Sequence, residues 1–208
     1  MIYNDHSNLS GKHALLSPSG CSWLNYDPDS DSLIKKYKSA YATVLGTALH
    51  EYADKRIKFR LKMTKHQKND VLFYLLSTGI PETVIDMEHI FENLMMYVND
   101  AIGFKMDTEQ ILYYSENCYG TADAISFRNN TLRIHDLKTG TTRVHIEQLM
   151  IYAALFCLEY NFKPSDMEIE LRIYQNGEIL YHKPSVDEIL PIMDQIITLD
   201  SKLQRLQS

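Results

Sequence analysis

The chain has 208 residues and a formal net charge of −6, with 45% hydrophobic and 23% charged residues. That length suits one domain with a substantial core, and the composition is that of a globular protein rather than a disordered or fibrous one. The acidic balance argues against a general nucleic-acid coat protein, and no apolar run is long enough to cross a membrane.

The first residues, MIYNDHSNLSGKHALL, lack the layout of a signal peptide, so a cytoplasmic protein without membrane contact is expected. Cys21, Cys118 and Cys157 are isolated, which argues against a disulfide framework, a zinc knuckle or an iron–sulfur cluster. In chain order, Ser17-Pro18 predicts a short helix through Trp23, and Asn25 to Asp31 reads as a loop. A long helix is expected from about Leu33 or Ser39 to Met63, with a break near Gly46. Asn69-Asp70 caps a short helix through Leu76, and Pro81 opens another through about Ile102. Strand character follows from Gln110 to Tyr114, Thr121 to Phe127 and Thr131 to Lys138. A helix is expected from about Val144 to Tyr160. Asp166 to Tyr174 alternates as a strand with one buried face, Asn176-Gly177 turns into Glu178 to His182, and Ser185 caps a last helix to about Leu206. The order describes one α/β domain, residues 1–208, with a central mixed sheet flanked by helices and a helical insertion at about 64–104.

The hairpin GTADAISFRNNTLRIHDLKTG carries the chemistry. Asn129-Asn130 suits a two-residue turn that needs positive φ, and with those residues at the tip the numbers of opposed residues sum to 259. Phe127 then faces Leu132, Ile125 faces Ile134, and Asp123 faces Asp136. Two carboxylates placed opposite each other repel, and a chain keeps such a pair most readily around a cation. Alternation puts Lys138 on the same face as Asp136. Two acids beside a lysine suit metal-dependent hydrolysis.

Other residues can join them. His50 and Asp54 share a helical face, with His50 the better candidate ligand and Glu51 ranked below it. Gln148 and Tyr152 also lie four apart, and the glutamine amide needs partners wherever it is buried. Lys55, Arg56, Lys58, Arg60, Lys62, Lys65, His66 and Lys68 fall within fourteen positions and form a basic patch.

Four motifs then stand in order: G-x-x-x-H (Gly46 to His50), G-x-x-D (Gly120 to Asp123), D-x-K-T-G (Asp136 to Gly140) and Q-x-x-x-Y (Gln148 to Tyr152). Together with LSPSGCSWLN near the N-terminus, this order resembles phage-type members of the RecB-like branch of the PD-(D/E)XK nuclease superfamily. The resemblance implies a restriction-endonuclease-like α/β core and a metal-dependent deoxyribonuclease. It assigns His50, Asp123, Asp136 and the carbonyl of Leu137 to Mg²⁺ or Mn²⁺. Lys138 would orient or activate water, and Gln148 and Tyr152 would order the site and the DNA backbone. Some members of the branch carry a four-cysteine iron–sulfur cluster; here no closing cysteine cluster follows the last strand, so none is expected.

The expectation is therefore an exonuclease or flap-type enzyme of phage or mobile-element DNA recombination, replication or repair, working in the bacterial host cytoplasm if phage-encoded. Its substrate would be DNA that is single-stranded or has free ends, guided by Lys55, Arg56, Lys58 and Lys62. No G-x-x-x-x-G-K-[ST] motif occurs, so a helicase, annealing or single-strand-binding partner would be a separate chain. The alternatives are a catalytically silent module of the same fold that binds DNA or protein, and a hydrolase of smaller phosphate esters.

Overall fold

The computed structural model describes residues 5–9, 14–26, 31–140 and 145–207. Helix α1 (Asp31–Lys58) is followed by α2 (Lys68–Ser77) and α3 (Met87–Gly103). Strands β1 (Asp107–Ser115), β2 (Cys118–Arg128) and β3 (Thr131–Leu137) come next, then α4 (Glu147–Tyr160). β4 (Glu168–Gln175), β5 (Glu178–His182) and α5 (Val186–Gln207) complete the chain. The sheet is mixed: strands lie in the order β1-β2-β3-β4-β5, with only β3 and β4 parallel.

Two apolar clusters sandwich this sheet. One joins Leu45 and Leu49 of α1 to Leu94 and Val98 of α3 and to Ala124, Leu137 and Tyr174 of the sheet. The other joins Leu149 and Ala153 of α4 and Ile189 and Ile196 of α5 to Ile125, Leu132, Ile134 and Ile173. The expected α/β architecture, a mixed sheet flanked by helices, is thus present. Within the segment at about 64–104, α3 packs on α1, β3 and β4.

Several boundaries differ from expectation for local reasons. α1 runs unbroken through Gly46, because buried Leu45, Ala48 and Leu49 hold that stretch against the core. It stops at Lys58 rather than Met63. Arg60 takes a left-handed backbone (φ 55°), Arg60 N–H donates to Ile57 O, and Leu61 N–H donates to Arg56 O, the pattern of a closing helix turn. Pro81 is followed by only a 3₁₀ turn, Glu82–Val84. α3 starts later, where Asp86 accepts from His89 N–H at 3.2 Å. The short helix after Ser17 is 3₁₀, Pro18–Asn25.

β4 corrects the expectation of a single buried face. As an inner strand it is covered on both sides, with Tyr174 buried and Glu170 paired to Arg133 at 2.8 Å. Most of the loop expected over Asn25 to Asp31, and Val144 at the expected start of a helix, lie outside the described residues; α4 begins at Glu147. No described helix is long and apolar enough to cross a membrane.

Candidate metal centre

The β2–β3 hairpin has the register expected of it. Ala124 faces His135, Ile125 faces Ile134, Phe127 faces Leu132 and Arg128 faces Thr131, all summing to 259. Asn129 and Asn130 have φ of 50° and 60°, as a two-residue turn matched to strand twist requires. One step past the last paired residues stand Asp123 and Asp136.

The same step is irregular on the other edge of β2. β1 pairs Thr108 with Ala124 and Gln110 with Ala122, leaving Glu109 opposite Asp123 between them. Glu109 has φ 53°, a left-handed backbone uncommon for glutamate. Alternation also slips here: Ala122 packs in the α4-side cluster and Ala124 in the α1-side cluster. Three acids from three adjacent strands thus come into line at one interruption of the sheet.

α1 supplies the fourth member. His50 Nδ1 lies 3.5 Å from Asp123 Oδ2. Donor atoms of His50, Glu109 and Asp123 lie within 4.8 Å of one another, close enough to hold a metal ion together. They line an open cleft with Thr47, Glu51 and Asp54. Glu109 was absent from the residues marked by sequence.

Asp136 stands beside this trio. Its side chain is only 6% exposed, and Oδ1 accepts from Lys138 Nζ at 3.0 Å. Its Oδ2 is buried with no hydrogen-bond partner among the described residues. A buried ionised oxygen without a partner is costly, and a cation is the simplest remedy. The donor set of His50, Glu109 and Asp123 fits a divalent ion, and Asp136 lies outside the three whose donor atoms meet within 4.8 Å.

Electrostatics agree with this crowding. Burial, opposed by His50 and reinforced by the charge of Asp136, raises the Asp123 carboxyl to about 6, despite help from the Leu137 N–H and Lys138. Buried Tyr97 has its phenol held well above its ordinary range, by burial first and then by Asp123, Asp136 and Glu109. The contact found for Leu137 is its N–H, which donates to Asp123 Oδ2 at 3.2 Å; the resemblance had assigned its carbonyl.

Lys138 and Gln148 meet: Lys138 Nζ donates to Gln148 Oε1 at 3.2 Å. Tyr152, one turn further along α4, lies against Gly120, where an added Cβ would approach its ring to 2.9 Å. Gly46 of the first motif sits near Thr139 of the third, 3.6 Å from where its Cβ would be. All four motifs therefore interlock around one place.

The basic patch is less uniform than its sequence. Arg56 donates from Nε to Leu61 O and from Nη2 to Lys62 O, closing the end of α1. Lys58 pairs with Asp54 at 2.9 Å, and Asp54 also accepts from Thr108 Oγ1. Lys55 lies over the Tyr74 ring, while Lys62 is exposed. Glu51 accepts a long bond from Tyr74.

Comparison with solved structures finds a match described as "Crystal structure of SSO0001". It covers 82% of this chain and 88% of that one, at 12% identity and a TM-score of 0.33. That likeness is too loose to carry an argument. A family model covers the chain from residue 13 to residue 179, through all four motifs, and by that match the protein belongs to the family described as "Protein of unknown function (DUF2800)".

Proposed function

We propose that this chain is a metal-dependent nuclease that hydrolyses DNA phosphodiester bonds, on a PD-(D/E)XK core of RecB-like type. The observation that carries the reading is the His50–Glu109–Asp123 trio, together with the neighbouring Asp136, whose charge acts on Asp123, whose Oδ2 is buried without a partner among the described residues and whose Oδ1 holds Lys138. A structural ion pair alone explains Oδ1 of Asp136 and leaves Oδ2 without a reason.

His50, Glu109, Asp123 and Asp136 would hold the ion. The mixed nitrogen and oxygen donors suit Mn²⁺ and admit Mg²⁺. When bound, such an ion supplies charge neutralisation on the phosphoryl oxygens and a water acidic enough to attack. Lys138 already donates to Asp136 Oδ1 and Gln148 Oε1. Those two bonds aim the ammonium and leave one of its three N–H groups for the attacking water or a phosphoryl oxygen. Gln148 fixes the lysine, and Tyr152 fixes the spacing between α4 and β2. Mobile-element recombination or repair, with a separate unwinding or annealing partner, is the setting this chemistry fits.

The test is digestion of end-labelled single-stranded, duplex, flapped and circular DNA with Mg²⁺ or Mn²⁺. Cleavage is expected, and it should vanish in Asp123→Ala, Asp136→Ala and Lys138→Ala proteins. Circular substrate decides whether a free end is needed. If the metal-loaded protein cuts no form of DNA or RNA, the reading fails; DNA binding without cleavage would make the chain a binding module.

A further inference from the structure

Beside the metal cleft lies a second, smaller cavity with the opposite charge. Lys58, Arg60 and Lys105 line it together with Asp107, Thr108 and Gln110. Three cations thus face one acid among the lining residues. Thr108 ties the two sites: it lines this cavity, donates to Asp54 of the metal cleft, and precedes Glu109 of the metal trio.

Arg60 and Lys105 share an unusual feature. Each follows the end of a helix, α1 and α3, and each has a left-handed backbone, φ 55° and 54°. Glycine is the favoured residue there, because a Cβ in that conformation costs about 1 kcal/mol or more. A cation near a helix C-terminus complements the helix dipole, which accounts for charge at each end separately. It does not account for two strained cations from different helices lining one cavity. Both are exposed, and neither side chain has an ion-pair or hydrogen-bond partner among the described residues, their backbone N–H groups donating to Ile57 O and Ile102 O. Phe59, next to Arg60 in sequence, is 73% exposed, and an aromatic side chain beside a cation with no partner is the combination that receives unpaired bases.

We infer that this cavity is a subsite for a backbone phosphate of a single nucleic-acid strand, gripped by Arg60 and Lys105, next to the phosphodiester bond at the metal centre. The inference rests on the nuclease reading for the identity of the strand, and it replaces Arg56 with Arg60 and Lys105 as principal contacts. The strand would run from the acidic cleft, where metal offsets the carboxylates, onto the basic cavity, with Phe59 under a base.

Glycine is the informative substitution, since it removes the cation and suits the backbone. The experiment measures binding of a fluorescent oligothymidylate, and of RNA of the same length, by anisotropy in EDTA. The proteins compared are wild type, Arg60→Gly/Lys105→Gly, Phe59→Ala and a charge control on α5, Lys202→Glu. The double glycine variant should melt no lower than wild type yet bind about 10-fold or more weakly at low salt, with the slope of log K against log salt reduced by about 1–2. Phe59→Ala should weaken oligonucleotide binding and leave inhibition of that binding by pyrophosphate unchanged. Equal losses in the glycine variant and Lys202→Glu, or no oligonucleotide binding by wild type, would overturn the proposal. Cleavage lost with this binding pattern intact would remove the nuclease reading alone. Cleavage present with the glycine variant binding as wild type would remove the subsite alone.

Discussion

The ring of Tyr152 fills the space that a side chain on Gly120 would need, with Cε1 2.9 Å and the hydroxyl oxygen 3.4 Å from a Cβ placed there. The glycine therefore sets how closely α4 approaches β2. Gln148 lies one turn earlier on that helix, so the same spacing sets its reach to Lys138. Gly120→Ala should push the helix outward and destabilise the protein by about 1–3 kcal/mol, the usual range for overpacking. In a Tyr152→Ala background the same change should be nearly neutral. Denaturant titration of the four proteins measures the coupling; purely additive effects would show that the two residues do not govern each other.

Asp123 predicts an unusual pH dependence of the metal-free protein. Its folded pKa of about 6 lies above its ordinary value of 3.8, with burial as the main cause. The folded state therefore holds the proton more tightly than the unfolded chain, and this group's penalty develops as pH rises from about 4 through about 6. Relative to Asp123→Asn, wild type in EDTA should lose stability, of order 1–3 kcal/mol, across that window. With Mn²⁺ the sign reverses. Metal and proton compete for the carboxylate, so the metal-induced rise in Tm should shrink below pH 6 and be absent in Asp123→Asn. Melts from pH 5 to 8, with and without metal, check both; parallel curves for the two proteins would refute the assignment.

These two residues also show what was legible in the chain. The Asn-Asn turn admits one favoured geometry, so counting outward from it reproduces the β2–β3 register as far as Ala124 and His135, one step short of Asp123 and Asp136. Helical spacing set Gln148 on one face with Tyr152 and His50 with Asp54, whereas the contacts of Gln148 with Lys138 and of His50 with Asp123 are tertiary. Glu109 escaped because strand character was expected only from Gln110, whereas β1 starts at Asp107, and because the β1–β2 hairpin contains an irregularity. Ser115 faces Cys118, a sum of 233, but beyond the shift at Tyr113 the sum is 232. Without that shift Gln110, not Glu109, would face Asp123. Bulges arise from tertiary fit and leave little mark in sequence. The coverage of β4 on both faces was hidden for a similar reason: Glu170 and Arg172 look solvent-facing until their partners Arg133 and Asp100 arrive from elsewhere in the chain.

Glu109 offers a test in which stability and metal affinity move in opposite directions. Its φ of 53° is easy for glycine and strained for glutamate. Glu109→Gly should therefore leave the metal-free protein as stable or more stable by up to about 1 kcal/mol, and also relieve repulsion with Asp123. It should weaken Mn²⁺ binding by about 10-fold, read by calorimetry or by the metal-induced shift in Tm. Unchanged affinity would place Glu109 outside the ligand set. Lower stability in EDTA would mean that the side chain supports the fold in its own right.

His135, next to Asp136 in sequence, illustrates a buried group whose protonation the fold forbids. Tyr174 donates its hydroxyl proton to Asp100 Oδ2 at 2.7 Å, so the 3.1 Å contact between Tyr174 and His135 Nδ1 takes its proton from the imidazole. Nε2 is then the bare nitrogen, buried with no partner among the described residues. Charging the ring would add a donor there with nothing to receive it. Burial, then Arg172 and Arg133, accordingly push the pKa down to about 3 from 6.5. The unfolded chain binds the proton more tightly, so this group's contribution is fully present above 6.5 and is lost as pH falls toward 3. His135→Asn should be less stable at pH 7, through loss of the edge contact with Phe104 and the bond to Tyr174. Its deficit relative to wild type should narrow at pH 5, because only wild type carries the acid penalty. Urea midpoints at the two pH values decide this, and ¹⁵N shifts of the imidazole should report protonated Nδ1 and bare Nε2 down to about pH 4. A deficit that stays constant, or a ring that titrates near 6.5, would mean that His135 reaches water and that the Tyr174–Asp100 network does not hold it neutral.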